Sequence, residues 1–355
     1  MTIETAAAGR SESRIHDDVQ GLVEAMRQVI QNVTAQSKIN DAVVGRLLAL
    51  ERRVAEYDSV KSTSANSTER GTGGSISPSM FEENSEEPKP STATARPVER
   101  LPLYLGDSTA LCRVMDSLLM YVDTRDTFIA PPLLLNGLWE PVETRLVMQR
   151  VKAGMRVADI GANWGYYTLL MAAATGPGGR VYAVEPEPRN LDLIGRNLQV
   201  NGLAERVSVI PKVALDRKGT AELYQNSRNL GAHTLFVAES ARSLHPKLKV
   251  EATPLDEVIE GPLDFVKIDA EGSEPHILRG MKRISVQSPR LEILMEFNVV
   301  ALRNAGVPPE EFVRELKESG YALSSVTPQS TTVPAQEDRL FREPLSTLLL
   351  SRANR

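Results

Sequence analysis

The chain has 355 residues, a formal net charge of −5 at pH 7 and a sequence pI near 5.6. That length holds one full α/β domain and a smaller element besides. The acidic balance, with no basic block, argues against a binder of nucleic-acid backbone, which carries a clustered Lys/Arg face. A single cysteine, Cys112, excludes an internal disulfide framework and a Cys-ligated zinc site.

The opening stretch MTIETAAAGRSESRIHDD has no apolar run of the kind a secretory leader needs. No later segment reaches the roughly 18 apolar residues of a membrane span, so the expected location is the cytoplasm. From Ile15 to Tyr57 the chain repeats apolar residues at alternating spacings of four and three: Ile15, Val19, Leu22, Met26, Val29, Val33, then Val43, Leu47, Leu50, Val54 and Tyr57. Gln36 and Asn40 are the polar exceptions. This pattern predicts a coiled-coil helix over residues 1–60 that joins copies of the chain into a homo-oligomer through 15–57. Asn40 falls at an a position, where a buried amide costs stability but fixes register. Cys112, farther on, reads as a small apolar residue in a helix.

Residues 61–98 change character, with Ser, Thr, Gly, Pro and Glu dominating and Met80 and Phe81 the only sizeable apolar side chains. Such a stretch cannot bury enough apolar surface to offset its ordering entropy, and a disordered linker is expected. A globular domain follows over 99–355. In it strands are predicted near 156–160, 180–184, 207–211, 263–268, 291–297, 321–326 and 345–351. Helices are predicted near 109–121, 140–151, 164–175, 188–200, 274–284 and 309–319. Alternation of this kind implies a mostly parallel sheet with helices on both faces. The less regular stretch 212–256 reads as an insertion covering the site.

Three motifs carry chemistry. VADIGANWG, residues 157–165, runs a buried strand into a turn at Gly161 and opens a helix, so the backbone can approach a ligand closely. VYAVEP, residues 181–186, ends a second strand in Glu185, an acid placed to accept the hydroxyls of a ribose. The spacing is not GxGxxG and no P-loop is present, which argues against a nicotinamide cofactor and a phosphate-gripping site. LDFVKIDAEGSEPHILRG, residues 263–280, puts Phe265, Lys267 and Asp269 on one strand face and Val266 and Ile268 on the other. A lysine and an aspartate at a strand end need pairing or an open site.

Together these motifs look like the S-adenosylmethionine site of class I methyltransferases. K-I-D-A-E-G-S-E, preceded by Thr253, Leu255 and Asp256, closely resembles the FkbM family of S-adenosylmethionine-dependent methyltransferases. So do the D-I-G-A-N-x-G-Y-Y turn, the element Gly137, Trp139, Glu140, and the element Asn197, Asn201, Gly202. The resemblance covers roughly 130–325. It implies a Rossmann-like seven-stranded sheet and O-methylation of a hydroxyl on a sugar, glycan or secondary metabolite, with S-adenosylmethionine as cofactor. Cofactor contacts are then expected from Glu140, Asp159, Gly161, Asn163, Gly165, Glu185 and Ala214. Asp269 is the first choice for orienting or deprotonating the acceptor, with Glu271, Glu274 and His233 as alternatives. Lys267 is expected to compensate their charge, with Glu296 on the neighbouring strand as a further counter-charge to it. Asp269, Glu271 and Glu274 are hard oxygen donors, yet nothing else in the sequence demands a metal and none is assigned. A catalytically inactive scaffold recruiting partners through the coiled coil is the competing reading, and the intact acids and glycines of all three motifs count against it.

The heptads generate a test independent of catalysis. The full-length chain should self-associate in light scattering at roughly tens of micromolar, and a chain beginning at Leu101 should form a smaller species. A monomeric full-length chain would reject the assignment. Asn40→Leu should raise stability and loosen the choice of oligomer state.

Overall fold

Successive residues along the central strands fall alternately into two separate apolar clusters, so the sheet is covered on both faces. Val157, Val181, Ala183, Phe265, Leu294 and Leu349 join one cluster. Ala158, Ile160, Val184, Val266, Ile268, Ile293, Met295, Leu348 and Leu350 join the other. That is the two-residue period of a strand buried on both sides. The structure is a computed structural model that describes residues 101–238 and 243–352. The coiled coil and linker read over 1–60 and 61–98 lie outside the described residues.

The domain opens with a three-stranded antiparallel sheet of β1 (Leu103–Gly106), β2 (Thr109–Val114) and β3 (Leu118–Asp123). Helices α1 (Ala130–Asn136) and α2 (Pro141–Arg150) follow. Then come β4 (Arg156–Ile160), α3 (Tyr166–Thr175), β5 (Arg180–Val184), α4 (Pro188–Val200) and β6 (Val207–Ile210). A second small sheet holds β7 (Val213–Ala214), β8 (Gly219–Tyr224) and β9 (Lys247–Thr253) in the order β7-β9-β8. The chain returns through α5 (Leu255–Val258), β10 (Phe265–Ile268), α6 (Glu274–Arg279), α7 (Lys282–Gln287), β11 (Glu292–Asn298), α8 (Val299–Asn304) and α9 (Pro309–Glu318). It finishes with β12 (Tyr321–Val326), β13 (Thr332–Pro334), α10 (Glu337–Arg342) and β14 (Leu345–Arg352).

The main sheet runs β13-β12-β14-β11-β10-β4-β5-β6. From β11 to β6 the pairings are parallel, while β14 is antiparallel to both β11 and β12. This mixed sheet contains every strand expected from the sequence, and among the described residues it has eight strands rather than seven. The added edge is β13, whose Thr332 pairs with Val326. Three residues ending in a proline carry too little pattern to announce a strand. Parallel pairing of β10 with β4 aligns Lys267 with Asp159 and Ile268 with Ile160. The ends of these two strands therefore meet on one edge of the sheet.

Two expectations fail for physical reasons. The helix predicted over 109–121 is the β2–β3 hairpin. Met115 and Asp116 take φ of 46° and 64°, a reversal into left-handed backbone that no helix contains. Cys112 accordingly sits in a strand, where burial pushes its thiol up to about 12 and leaves it inert. The helix predicted over 274–284 is two helices broken at Gly280. A Cβ there would overlap the carbonyl oxygen of Leu215, so backbone passes where a side chain would stand.

The asparagines at 197 and 201 sit one turn apart on α4 and close the free edge of β3. Asn197 Oδ1 accepts from Tyr121 N at 2.6 Å, and its Nδ2 donates to Tyr121 O and to Trp164 O. Asn201 Oδ1 accepts from Leu119 N at 2.9 Å while Nδ2 donates to Leu119 O. Side-chain amides thus do for β3 what a neighbouring strand would do. Replacing Asn197 by alanine leaves buried backbone groups unpaired. It should cost about 1–3 kcal/mol, visible as a lower thermal midpoint; an unchanged midpoint would remove this role.

Candidate active site

Strand β4 ends at Ile160, and Gly161 turns the chain with φ of +82°. A Cβ at this position would overlap the carbonyl oxygen of Asp269, so only glycine lets the β4 turn and the loop after β10 touch. Asn163 also takes a left-handed φ of 50°, and its Oδ1 is buried without a hydrogen-bond partner. Gly165, with φ of +85°, starts α3 and packs against Ile194 of α4. Behind the turn Asp159 is buried and accepts from Thr168 Oγ1 at 2.6 Å. Burial holds its carboxyl above the usual range.

Glu185 follows β5 and is buried. Its carboxylate accepts from the backbone N–H of Asn163 at 2.8 Å and of Glu187 at 2.9 Å, and from Asn190 Nδ2 at 3.2 Å. Burial raises its pKa to about 7, although these donors favour the ionised form. One carboxylate therefore ties the β5 end to the glycine turn.

The loop after β10 gathers the acids. Lys267 Nζ donates to Asp269 Oδ2 at 2.8 Å and lies 4.5 Å from the centre of the Tyr167 ring. Burial opposes the charge on Lys267, but Asp269, Glu140 and Asp159 outweigh it and keep the ammonium protonated above its usual range. Glu271 takes φ of 48°, which turns the loop back toward the sheet. Glu274 Oε1 accepts from Ala270 N at 3.0 Å and Gly272 N at 3.4 Å. One oxygen from each of Asp269, Glu271 and Glu296 lies within 4.8 Å of the others. Burial first, and the neighbouring acids second, raise Glu271 to about 8 and Glu296 to about 9. Burial raises Glu274 to about 7.

A cleft runs along these strand ends. Among the expected residues, Gly161, Asn163, Glu185, Ala214, Asp269 and Glu271 line it. Asp159, Gly165, Lys267 and Glu274 stand behind that surface and position it. Glu140 lines a second, smaller cavity with Lys267, Asp269 and Glu296, and accepts from Tyr167 OH at 2.8 Å. Burial raises Glu140 to about 7.

His233 lines the cleft, but its Nδ1 accepts the N–H of Asn226 at 3.0 Å and burial lowers its pKa to about 4. The ring is neutral with its proton on Nε2, so it is a donor in the wall rather than a base. The insertion covers the site as expected: Leu230, Gly231 and Leu235 line the cleft. Leu230 N donates to Asp126 Oδ2 at 2.6 Å, and the other oxygen of Asp126 accepts three N–H groups at the start of α1. Sequence reasoning missed Asp126 and Asn190, which no motif marks. It placed Glu296 as a counter-charge to Lys267, whereas Lys267 pairs with Asp269 and Glu296 joins the acids.

The cleft suits a cofactor with a ribose and an amino-acid end. Glu185 offers acceptors, Asn163 Oδ1 is an orphaned acceptor, and Val213, Ala214, Leu223 and Ile277 provide apolar walls. Residues 159–323 match the family model described as a methyltransferase FkbM domain. The chain is 41% identical over 61 residues to the catechol O-methyltransferase of Mycobacterium tuberculosis, a match covering 17% of this chain and 28% of that protein. It is 42% identical over 57 residues to a protein-L-isoaspartate O-methyltransferase of Aeropyrum pernix, covering 16% of this chain and 22% of that protein. The chain thus spans about a quarter of the length of the curated relatives it matches. Among solved structures it is similar to a methyltransferase FkbM of Methylobacillus flagellatus, with 17% identity, 56% of this chain and 43% of that one covered, and a TM-score of 0.34. Among the described residues no helix is long and apolar enough to cross a membrane. The motif order and the acid-lined cleft agree with the family model that residues 159–323 match, that of a methyltransferase FkbM domain.

Proposed function

We propose that the chain is a cytoplasmic O-methyltransferase, assembled through residues 15–57, that methylates a hydroxyl of a sugar, glycan or secondary metabolite. The observation that carries the reading is the group Asp269, Glu271 and Glu296 lying beside the Gly161 turn. A hydroxyl must lose its proton as it attacks, and this group supplies carboxylates at the place where a base is needed. When bound, S-adenosylmethionine supplies an electrophilic methyl group on a sulfonium. Glu185 accepts the ribose hydroxyls, Asn163 Oδ1 and the Gly161 turn receive the amino-acid end, and Ala214 flanks the base.

The ion pair with Lys267 fixes the Asp269 carboxylate in place, which suits it to orient the acceptor hydroxyl. Glu271 lines the cleft, and its pKa, raised to about 8, makes its ionised form the stronger base, with the share of that form growing as pH rises toward this value. Glu274, behind the loop, holds the peptides on either side of Glu271 in place. His233 donates from the wall.

Glu185→Ala should weaken S-adenosylmethionine binding by about 1.5–3 kcal/mol, the scale of lost hydrogen bonds to a charged group. Unchanged affinity in a folded variant, measured by calorimetry, would refute the ribose assignment. The raised pKa of Glu185 adds stability that is complete below about 4.5 and is lost as pH rises through about 7. The free protein's thermal midpoint should therefore fall over that window. Cofactor affinity should rise over it, because the ionised carboxylate is the one that accepts hydroxyls; Glu185→Gln should flatten the affinity trend and lessen the fall in midpoint, to which Glu140, Glu271, Glu274 and Glu296 also contribute. Asp269→Asn and Glu271→Gln should each lower methyl transfer to a hydroxyl acceptor by roughly 10²–10⁴-fold with cofactor affinity retained. Transfer at the wild-type rate in both variants would exclude this group from the reaction.

A further inference from the structure

We propose that Asp269, Glu271 and Glu296 bind one hard divalent cation, of the Mg²⁺ or Mn²⁺ kind, where the cofactor cleft meets the smaller cavity. Parallel pairing of β10 with β11 sets Ile268 beside Met295. The next residue on each strand, Asp269 and Glu296, therefore stands side by side at the sheet edge. The left-handed turn at Glu271 brings the third carboxylate back to them, and one oxygen of each falls within 4.8 Å of the other two. Six-coordinate Mg²⁺ with bonds of roughly 2.1 Å asks for oxygen separations of about 3–4 Å. The set contains only carboxylate oxygens, which selects hard cations over zinc or copper.

Room and charge both point to an occupant. Asp269 borders the cofactor cleft on one side and, with Glu296, a small cavity of about 20 Å³, the size for a single ion or water, on the other. Glu274 is an independent sign. It is 1% exposed, one oxygen is engaged by the loop that carries Asp269 and Glu271, and Oε2 is buried with no hydrogen-bond partner. Its charge bears on all three proposed ligands. Among the described residues the one ion pair reaching this group is Lys267 with Asp269, through a single carboxylate oxygen. One ammonium faces four carboxylates, and a divalent cation in their midst would balance most of the difference.

The cation's catalytic role rests on the methyl-transfer reading, whereas its binding does not. With one oxygen of each carboxylate on the cation, an acceptor hydroxyl can fill an open position and become more acidic there. The second oxygen of Glu271 then takes its proton as the oxygen–methyl bond forms.

The test uses the full-length chain freed of metal by EDTA and titrated with Mn²⁺, the free ion being counted by electron paramagnetic resonance. One Mn²⁺ per chain is expected, displaced by excess Mg²⁺. Glu296→Gln and, on the separate loop, Glu271→Gln should each weaken binding by about tenfold or more, with calorimetric affinity for S-adenosylmethionine retained. No saturable Mn²⁺ binding to the wild-type chain, or binding unchanged in both folded variants, overturns the site. Methyl transfer that persists in EDTA overturns its catalytic role. Mn²⁺ binding by a chain that does not bind S-adenosylmethionine upholds the site and refutes the methyl-transfer reading instead.

Discussion

The site depends on one close backbone approach, Gly161 against the carbonyl of Asp269. Parallel pairing of β4 with β10 brings the two strand ends level, and the missing Cβ lets the turn and the acid loop come into contact. Without it, the turn read as receiving a cofactor and the acids read as receiving an acceptor would be separated by the width of a side chain. Displacement reactions tolerate little error in the line between attacking and leaving atoms. A substitution at Gly161 would therefore disturb both halves of the site together, although the residue carries no functional group.

Charge is the second constraint. Glu140, Asp159, Asp269, Glu271, Glu274 and Glu296 crowd around one lysine on the same sheet edge. Such crowding costs stability in the free protein, since buried carboxylates must hold protons or share counter-charge. The cost is carried by an otherwise apolar frame: the two clusters above and below the sheet fill the volume around these acids. Strained backbone at Asn163 and Glu271 sits at the same place and is held by the surrounding packing.

Much of this was legible in the sequence because its signals are local. A buried strand running into Gly161, an acid ending the next strand, and lysine and aspartate two residues apart on one face each leave a pattern within a few residues. The central strands were legible for the same reason. What escaped depends on partners distant in the chain. The β2–β3 hairpin shows helix-like apolar spacing until its two left-handed residues are seen, and neither Met115 nor Asp116 advertises that conformation. The need for glycine at 280 comes from Leu215, far away in sequence, whose backbone passes where a side chain would stand. Glu296 belongs with Asp269 only because β10 and β11 are parallel and in register, a fact that periodicity does not contain. The asparagines of α4 were read as family marks, and their work turns out to be edge closure of β3.

The roof of the cleft is fastened in an economical way. Asp126 caps the start of α1 with one oxygen and holds Leu230 with the other. Helix start and cleft roof thus share a single carboxylate, backed on the roof side by the Thr127 N–H to Arg228 carbonyl bond. The two oxygens act on different elements, so a change that loosens Leu230 need not undo the helix cap, and the wall of the cleft and the start of α1 can vary separately in sequence.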